Sequence, residues 1–127
     1  AKSDVSLSIE NRPIRAHKVA GDVVWFDFVN ICEGPRSQND YIELATLFTT
    51  VLISNVPVLD ATREDAARRF ISLVDEFYDR RVKLILSADE GIANLYQGQR
   101  LSFEFQRTQS RLLEMQSESY LGEPHVS

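Results

Sequence analysis

The sequence is poor in the residues that cross-link, anchor or cradle. It holds one cysteine, Cys32, so no disulfide can close within the chain and a reducing compartment is the simplest reading. No apolar run approaches the roughly 20 residues a membrane helix needs, and no basic stretch leads into the apolar segment of a secretory signal. Positive charge is in deficit, with 14 Lys and Arg against 19 Asp and Glu. The net charge of −5 argues against the broad basic footprint of a nucleic-acid binder. The 5 glycines never assemble into G-x-x-x-x-G-K-[ST]. GDVVW and EGPRS each offer one glycine and no lysine–hydroxyl pair after it, so neither is a phosphate loop. Methionine is nearly absent as well: the chain starts at Ala1 and its one methionine is Met115, which leads us to expect a piece of a longer protein.

What is present is an ordinary globular balance, 43% hydrophobic and 26% charged over 127 residues, enough for a single domain spanning 1–127 with one core. The first third reads as β: VSLSI alternates, ENRP signals a turn, IRAHKVA is a second strand and VVWFDF a third. CEGPRSQN interrupts with turn formers. Ser37 or Asn39 can cap a helix from about Asp40 with an apolar face of Tyr41, Leu44, Ala45 and Phe48. TVLISNVPVL then reads as a strand buried on both faces.

The clearest element is a helix over about 62–81. Thr62 is a candidate cap, Glu64 and Asp65 suit its first turn, and Ala66, Phe70, Leu73, Val74 and Phe77 recur at helical spacing. Glu64–Arg68, Asp65–Arg69 and Glu76–Arg80 are i,i+4 pairs with the acid first. VKLILSA reads as another core strand, 90–96 as a short helix ended by Gly98, and about 107–120 as a last helix. Residues 122–127 read as a frayed tail. Strand, long helix, strand forms a βαβ unit, so the expected fold is α/β: a mostly parallel central sheet with flanking helices and an antiparallel β-rich N-terminal edge, P-loop-like but without the P-loop.

The chemistry of catalysis is thin. Magnesium at a nucleotide wants an acid at a strand end, and TVLISNVP supplies Ser54 and Asn55 instead. WFDFVN does place Asp27 after an apolar strand, where a catalytic role competes with a structural hydrogen bond, the reading we favour. His17 and His125 lie far apart, and Cys32 has no neighbouring histidine and reads as a small buried side chain. Asp75 and Asp79, one turn apart, could frame a cation or join an ion-pair network with Arg68, Arg80 and Arg81. No catalytic or metal-binding residue is assigned. Four arginines stand out: Arg68 and Arg69 on the long helix, and Arg107 and Arg111 one turn apart on the last. They suit carboxylates or phosphates, or helix-surface pairs such as Arg111 with Glu118.

Three stretches in order, SQNDYIELATLFTTVLISNVPV, ARRFISLVDEFYDRRVKLILSA and FEFQRTQSRLLEMQSESYL, resemble the C-terminal part of the ZapE family of bacterial cell-division ATPases, which is related to the mitochondrial lactation-elevated ATPases. The resemblance runs from about Ile9 to Leu121. It implies a C-terminal fragment of an AAA+-type P-loop ATPase whose phosphate loop and metal-binding acids lie upstream, with ATP and Mg²⁺ as cofactors of the whole protein and none in this chain. It implies action on the FtsZ ring, a cytoplasmic location at the division site near the inner membrane, and, as in ring-forming relatives, a homo-oligomer. For the mitochondrial relatives it implies protein quality control and respiratory-complex maintenance. The matching positions are Asp40, Tyr41, Pro57, Arg68, Arg69, Asp75, Tyr78, Arg107, Ser110, Arg111, Glu114 and Gln116, none with an assigned catalytic role. On this reading the domain is a degenerate echo of the ATPase core, or converged on its layout, its strands kept as scaffold and its nucleotide chemistry lost. It would couple ATP hydrolysis in the upstream domain to a partner, with Arg68, Arg69, Arg107 and Arg111 as candidate interface or nucleotide-sensing residues. The alternatives are a purely structural or protein-binding module, and a small enzyme using Asp27, Asp75 or Asp79.

Overall fold

The computed structural model describes residues 2–117, and Glu118, His125 and the expected tail at 122–127 lie outside them. Three N-terminal strands, β1 (Lys2–Ile9), β2 (Arg12–Ala20) and β3 (Val23–Asp27), form an antiparallel meander. β3 runs straight into a short helix, α1 (Phe28–Cys32). A turn then leads to α2 (Gln38–Leu47) and β4 (Thr50–Val56). In that turn Gly34 has φ +83°, a left-handed conformation natural to glycine, and its carbonyl accepts from Arg36 N at 2.9 Å. After the two-residue β5 (Leu59–Asp60) and a 3₁₀ turn, α3 (Glu64–Asp79) leads to β6 (Lys83–Ala88). A second 3₁₀ turn (Ile92–Asn94), β7 (Tyr96–Gln97) and α4 (Ser102–Met115) complete the described chain.

The main sheet has the order β1-β2-β3-β4-β6, with β3, β4 and β6 mutually parallel and the N-terminal pair antiparallel. The α/β expectation, with its antiparallel edge, holds. β5 and β7 form a separate parallel pair. Val24, Phe26, Val51 and Ile53 point to the core, where Phe28, Ile31, Tyr41, Leu44, Ala67, Phe70, Val74 and Phe77 meet them from the helices. Rings run in series from Phe28 to Phe70 at 6.1 Å, to Phe105 at 6.3 Å, and to Tyr96 at 5.0 Å. They tie α1, α3, α4 and β7 into one apolar body.

Five expectations are corrected. β4 is not buried on both faces: its alternation puts Val51 and Ile53 inside, while the half-buried Leu52 lies on a face that no described helix covers. β6 is an edge strand, and Ile85 is 55% exposed. Residues 90–96 hold a 3₁₀ turn and a strand rather than a helix. The last helix starts at Ser102, five residues before the expected Arg107, because Phe105 and Leu101 are drawn into the core. Thr62 does not cap the long helix: it lies in the 3₁₀ turn, where the Asp60 carboxylate accepts from Thr62 N at 3.0 Å, and α3 begins at Glu64 after Arg63 without a side-chain cap.

Candidate functional site

The four arginines separate into two groups. Arg107 and Arg111 are both taken up by α3: Arg107 Nη2 lies 3.3 Å from Asp75 Oδ2, and Arg111 Nη1 donates to Asp75 Oδ1. The Arg111 guanidinium also sits 5.0 Å from the centre of the Tyr78 ring. Tyr78 donates its hydroxyl to Glu114 Oε2 at 2.6 Å, which raises the phenol's pKa, since its ionisation would face a carboxylate. These contacts clamp α3 to α4. Asp75 therefore pairs with α4, not with Arg68, Arg80 or Arg81. Arg80 bonds Glu76, and Arg81 Nη1 donates to the Tyr78 carbonyl at 2.9 Å. Of the three i,i+4 pairs expected on α3, the ion pair that forms is Glu76–Arg80, while Glu64 turns to Tyr96.

Arg68 and Arg69 line a cleft of about 280 Å³ between α3 and the start of α2, facing Arg36, Ser37 and Ser72. Arg68 is exposed and pairs with no described residue. Arg69 reaches the Cys32 carbonyl at 3.5 Å. Arg36 is held by the fully buried Asp40 at 3.4 Å and by the Pro13 carbonyl at 2.8 Å. Asp40 has a closer partner, Arg12, at 2.6 Å. Beneath the cleft, Gln38 Nε2 donates to Glu76 Oε2 at 2.7 Å, and Tyr41 donates its hydroxyl to the Ile31 carbonyl at 2.8 Å. Burial pushes the pKa values of Cys32 and Tyr41 well above their ordinary ranges, so both stay protonated, and Cys32 is the small core side chain expected. Sequence spacing missed Arg36, Ser37 and Ser72 because the cleft joins two elements. EGPRS, set aside for want of a phosphate-loop lysine, contains two of them.

A third polar cluster sits at the carboxyl ends of β3 and β4. Asp27 Oδ1 accepts from Asn55 Nδ2 at 2.6 Å and from Ser54 Oγ at 3.3 Å, and His17 Nε2 lies 3.7 Å away. Trp25 donates its indole N–H to Ser54 Oγ at 3.0 Å and packs against His17. Asn55 has φ +60°, where the β4–β6 register shifts between Ile53 and Val56. Neutral donors thus hold the Asp27 carboxylate as a structural hydrogen-bond acceptor. Among the described residues no three of His, Cys, Asp and Glu gather as a metal site, and Asp79 stands exposed, away from the Asp75 clamp.

Beside this cluster runs an apolar row. Trp25, Leu52 and Ile85 are in register across the three parallel strands, on the face that no described helix covers, with Trp25 40% exposed. They border a shallow cavity of about 260 Å³.

These features define an α/β domain with a parallel strand trio, a sheet face bare of described helices and an arginine cleft in its helical layer. The family model described as AFG1-like ATPase matches residues 1–124, and the chain belongs to that family. It is 49% identical over 122 residues to the cell division protein ZapE of Escherichia coli strain K12, covering 96% of this chain and 32% of that protein. It is 34% identical over 146 aligned residues to lactation elevated protein 1 homolog B of Danio rerio, covering 90% of this chain and 29% of that protein. The chain thus spans about a third of the length of the curated relatives it matches. No solved structure matches it. Among the described residues no helix is long and apolar enough to cross a membrane.

Proposed function

We infer that this chain is the C-terminal accessory domain of a ZapE-like cell-division ATPase, coupling ATP hydrolysis elsewhere in that protein to action on a partner such as FtsZ. In this reading the parent protein binds ATP and Mg²⁺, works in the cytoplasm at the division site, and assembles into a homo-oligomer. The domain does not hydrolyse ATP by itself. Arg68, Arg69, Arg107 and Arg111 are its candidate contacts to nucleotide or to a neighbouring subunit, and Arg68 leads them because it has no described partner.

The observation that carries this reading is the face of the sheet bare of described helices. All-parallel sheets are found almost only with both faces covered, and in the parallel half of this mixed sheet Trp25, Leu52 and Ile85 form an apolar row with the described helices on the other face alone. That row is the seat for the ATPase region.

The test is Ile85→Lys in the full-length protein. Ile85 is exposed on an edge strand, so the substitution leaves the core of this domain intact. Coupling predicts that ATP turnover changes several-fold and that the ATP-dependent effect on FtsZ polymers is lost. Wild-type turnover together with a wild-type effect on FtsZ would dispose of coupling through this face. Wild-type turnover with the FtsZ effect lost would favour a protein-binding module.

A further inference from the structure

The chain carries an excess of acid, yet the cleft between α2 and α3 gathers three guanidinium groups, Arg36, Arg68 and Arg69. The acid nearest to them in the core, Asp40, is answered first by Arg12 at 2.6 Å and only then by Arg36 at 3.4 Å. Asp65 is the single carboxylate that lines the cleft itself, so positive charge prevails there by three to one. An Arg68 without a described partner is in surplus to what the fold uses.

Two independent observations add hydrogen-bond donors that lack acceptors. The Arg36 side chain is only 10% exposed, and its Nε is buried with no hydrogen-bond partner among the described residues. A buried donor left unpaired costs free energy, and such groups persist where something else satisfies them. The 10-residue helix α2 also begins at this cleft without a side-chain cap, because the Ser37 hydroxyl turns toward Asp40 Oδ1 at 3.4 Å. Asp40 sits in the first turn and its own N–H is taken by the Ser37 carbonyl at 3.1 Å, which leaves the N–H groups of Gln38 and Asn39 without a side-chain cap at the cleft. Ser37 and Ser72 place hydroxyls on the same lining.

We propose that the cleft formed by Arg36, Arg68 and Arg69 at the N-terminus of α2 is a binding site for a phosphate group. Planar forks favour phosphate over halide, since each can donate two parallel hydrogen bonds to a tetrahedral oxyanion. The size of the cleft sets how much of a ligand it takes. At about 280 Å³ it falls below the roughly 300–1,000 Å³ of sites that enclose a whole small molecule. It receives the phosphate end of a ligand, or free phosphate, and leaves the remainder outside. The cleft belongs to the helical layer, across the sheet from Trp25 and Ile85, so it stands apart from coupling through that face, and it rests on the proposed function only in taking Arg68 and Arg69 as contacts to a nucleotide's phosphate.

The experiment is a titration of the chain with inorganic phosphate at constant ionic strength, balanced with chloride, followed by backbone amide NMR shifts. The expected result is saturable shifts centred on the Ser37–Gln38 and Arg68–Arg69 amides. Arg68→Ala and Arg69→Ala should each weaken binding by roughly tenfold, the worth of one charge-assisted hydrogen bond, and Lys18→Ala, exposed in register with Trp25, should leave it unchanged. Because Arg68 is exposed, Arg68→Ala keeps the fold, which its unshifted core resonances would confirm. ADP and adenosine distinguish the sources: ADP binding more tightly than phosphate, with adenosine silent, assigns the site to a nucleotide's phosphate end. Equal affinity for ADP and phosphate assigns it to the bare oxyanion. Absence of saturation, the same response to chloride alone, or equal affinity in wild type, Arg68→Ala and Arg69→Ala would overturn the proposal.

Discussion

Tyr96 donates its hydroxyl to Glu64 Oε1 over 2.6 Å, and through this pair the first turn of α3 closes the loop between β7 and α4. Glu64 Oε2 accepts two further backbone N–H groups, from Arg100 at 2.8 Å and Gln99 at 3.2 Å, while Leu101 N donates to the Tyr96 oxygen at 2.8 Å. Four donors that would otherwise need water are satisfied by two side chains.

This arrangement fixes a pH dependence. Hydrogen bonds from Tyr96 first, and then from Arg100 N, favour the ionised carboxylate and lower the pKa of Glu64 from its ordinary 4.5. A folded-state pKa below the unfolded one contributes stability above 4.5, and that contribution is lost as pH falls through the folded value. Glu64→Gln should therefore be less stable than wild type at neutral pH, with the gap closing as the pH drops below 4.5. Urea midpoints measured across that range check it. A gap that kept its size in acid would show that the carboxylate's charge is not what closes the loop.

The same pair makes Gly98 irreplaceable by a larger residue. A Cβ there would lie 2.5 Å from Glu64 Oε1, 2.6 Å from the Tyr96 hydroxyl and 2.8 Å from its Cζ. The carboxylate end can swing aside, but the Tyr96 ring is stacked on Phe105 at 5.0 Å and cannot follow. Gly98→Ala should cost about 1–3 kcal/mol, the usual range for overpacking. In the Glu64→Gln background the cost should shrink, since part of the contact is already loosened. A double-mutant cycle in urea decides the matter: strict additivity would mean that Gly98 acts through the backbone and not through this pair.

Why some of this was legible in the sequence, and some not, follows from the range of each signal. The face of α3 and the Tyr41–Leu44–Ala45 face of α2 repeat at helical spacing, and both are buried as read. An apolar run, by contrast, reports hydrophobicity without saying what covers it. Leu52 and Ile85 sit in unbroken apolar runs that imply a core position, yet both lie on the side of the sheet without described helices. The five-residue α1 continues the aromatic stretch of β3, and Asp27 at its N-cap makes no side-chain capping bond, so an acid inside an apolar run is all that marks its start. The arginine cleft depends on tertiary packing, which brings Arg36 to residues more than thirty positions away, and no local spacing encodes that.

Asp75 offers the sharpest distinction among the arginines. It accepts from Arg107 and Arg111 together, and all three are only partly screened by protein. Pairs of this kind contribute modestly, so Asp75→Ala should destabilise the chain by about 1 kcal/mol. The share from the exposed Arg107 should vanish in about 1 M salt, where the Debye length falls to about 3 Å, while the less exposed Arg111–Asp75 pair is screened less. Arg111→Ala should cost more than Arg107→Ala and keep a salt-resistant part, because Arg111 also packs over the Tyr78 ring. If these arginines serve only to hold α4 on α3, Asp75→Ala and Arg111→Ala in the full-length protein should change ATP turnover alike, in step with lost stability. If either arginine acts on a phosphate, Arg111→Ala or Arg107→Ala should lower turnover while Asp75→Ala, which frees both guanidinium groups, does not. Denaturation at two salt concentrations and turnover of the three variants side by side separate the roles.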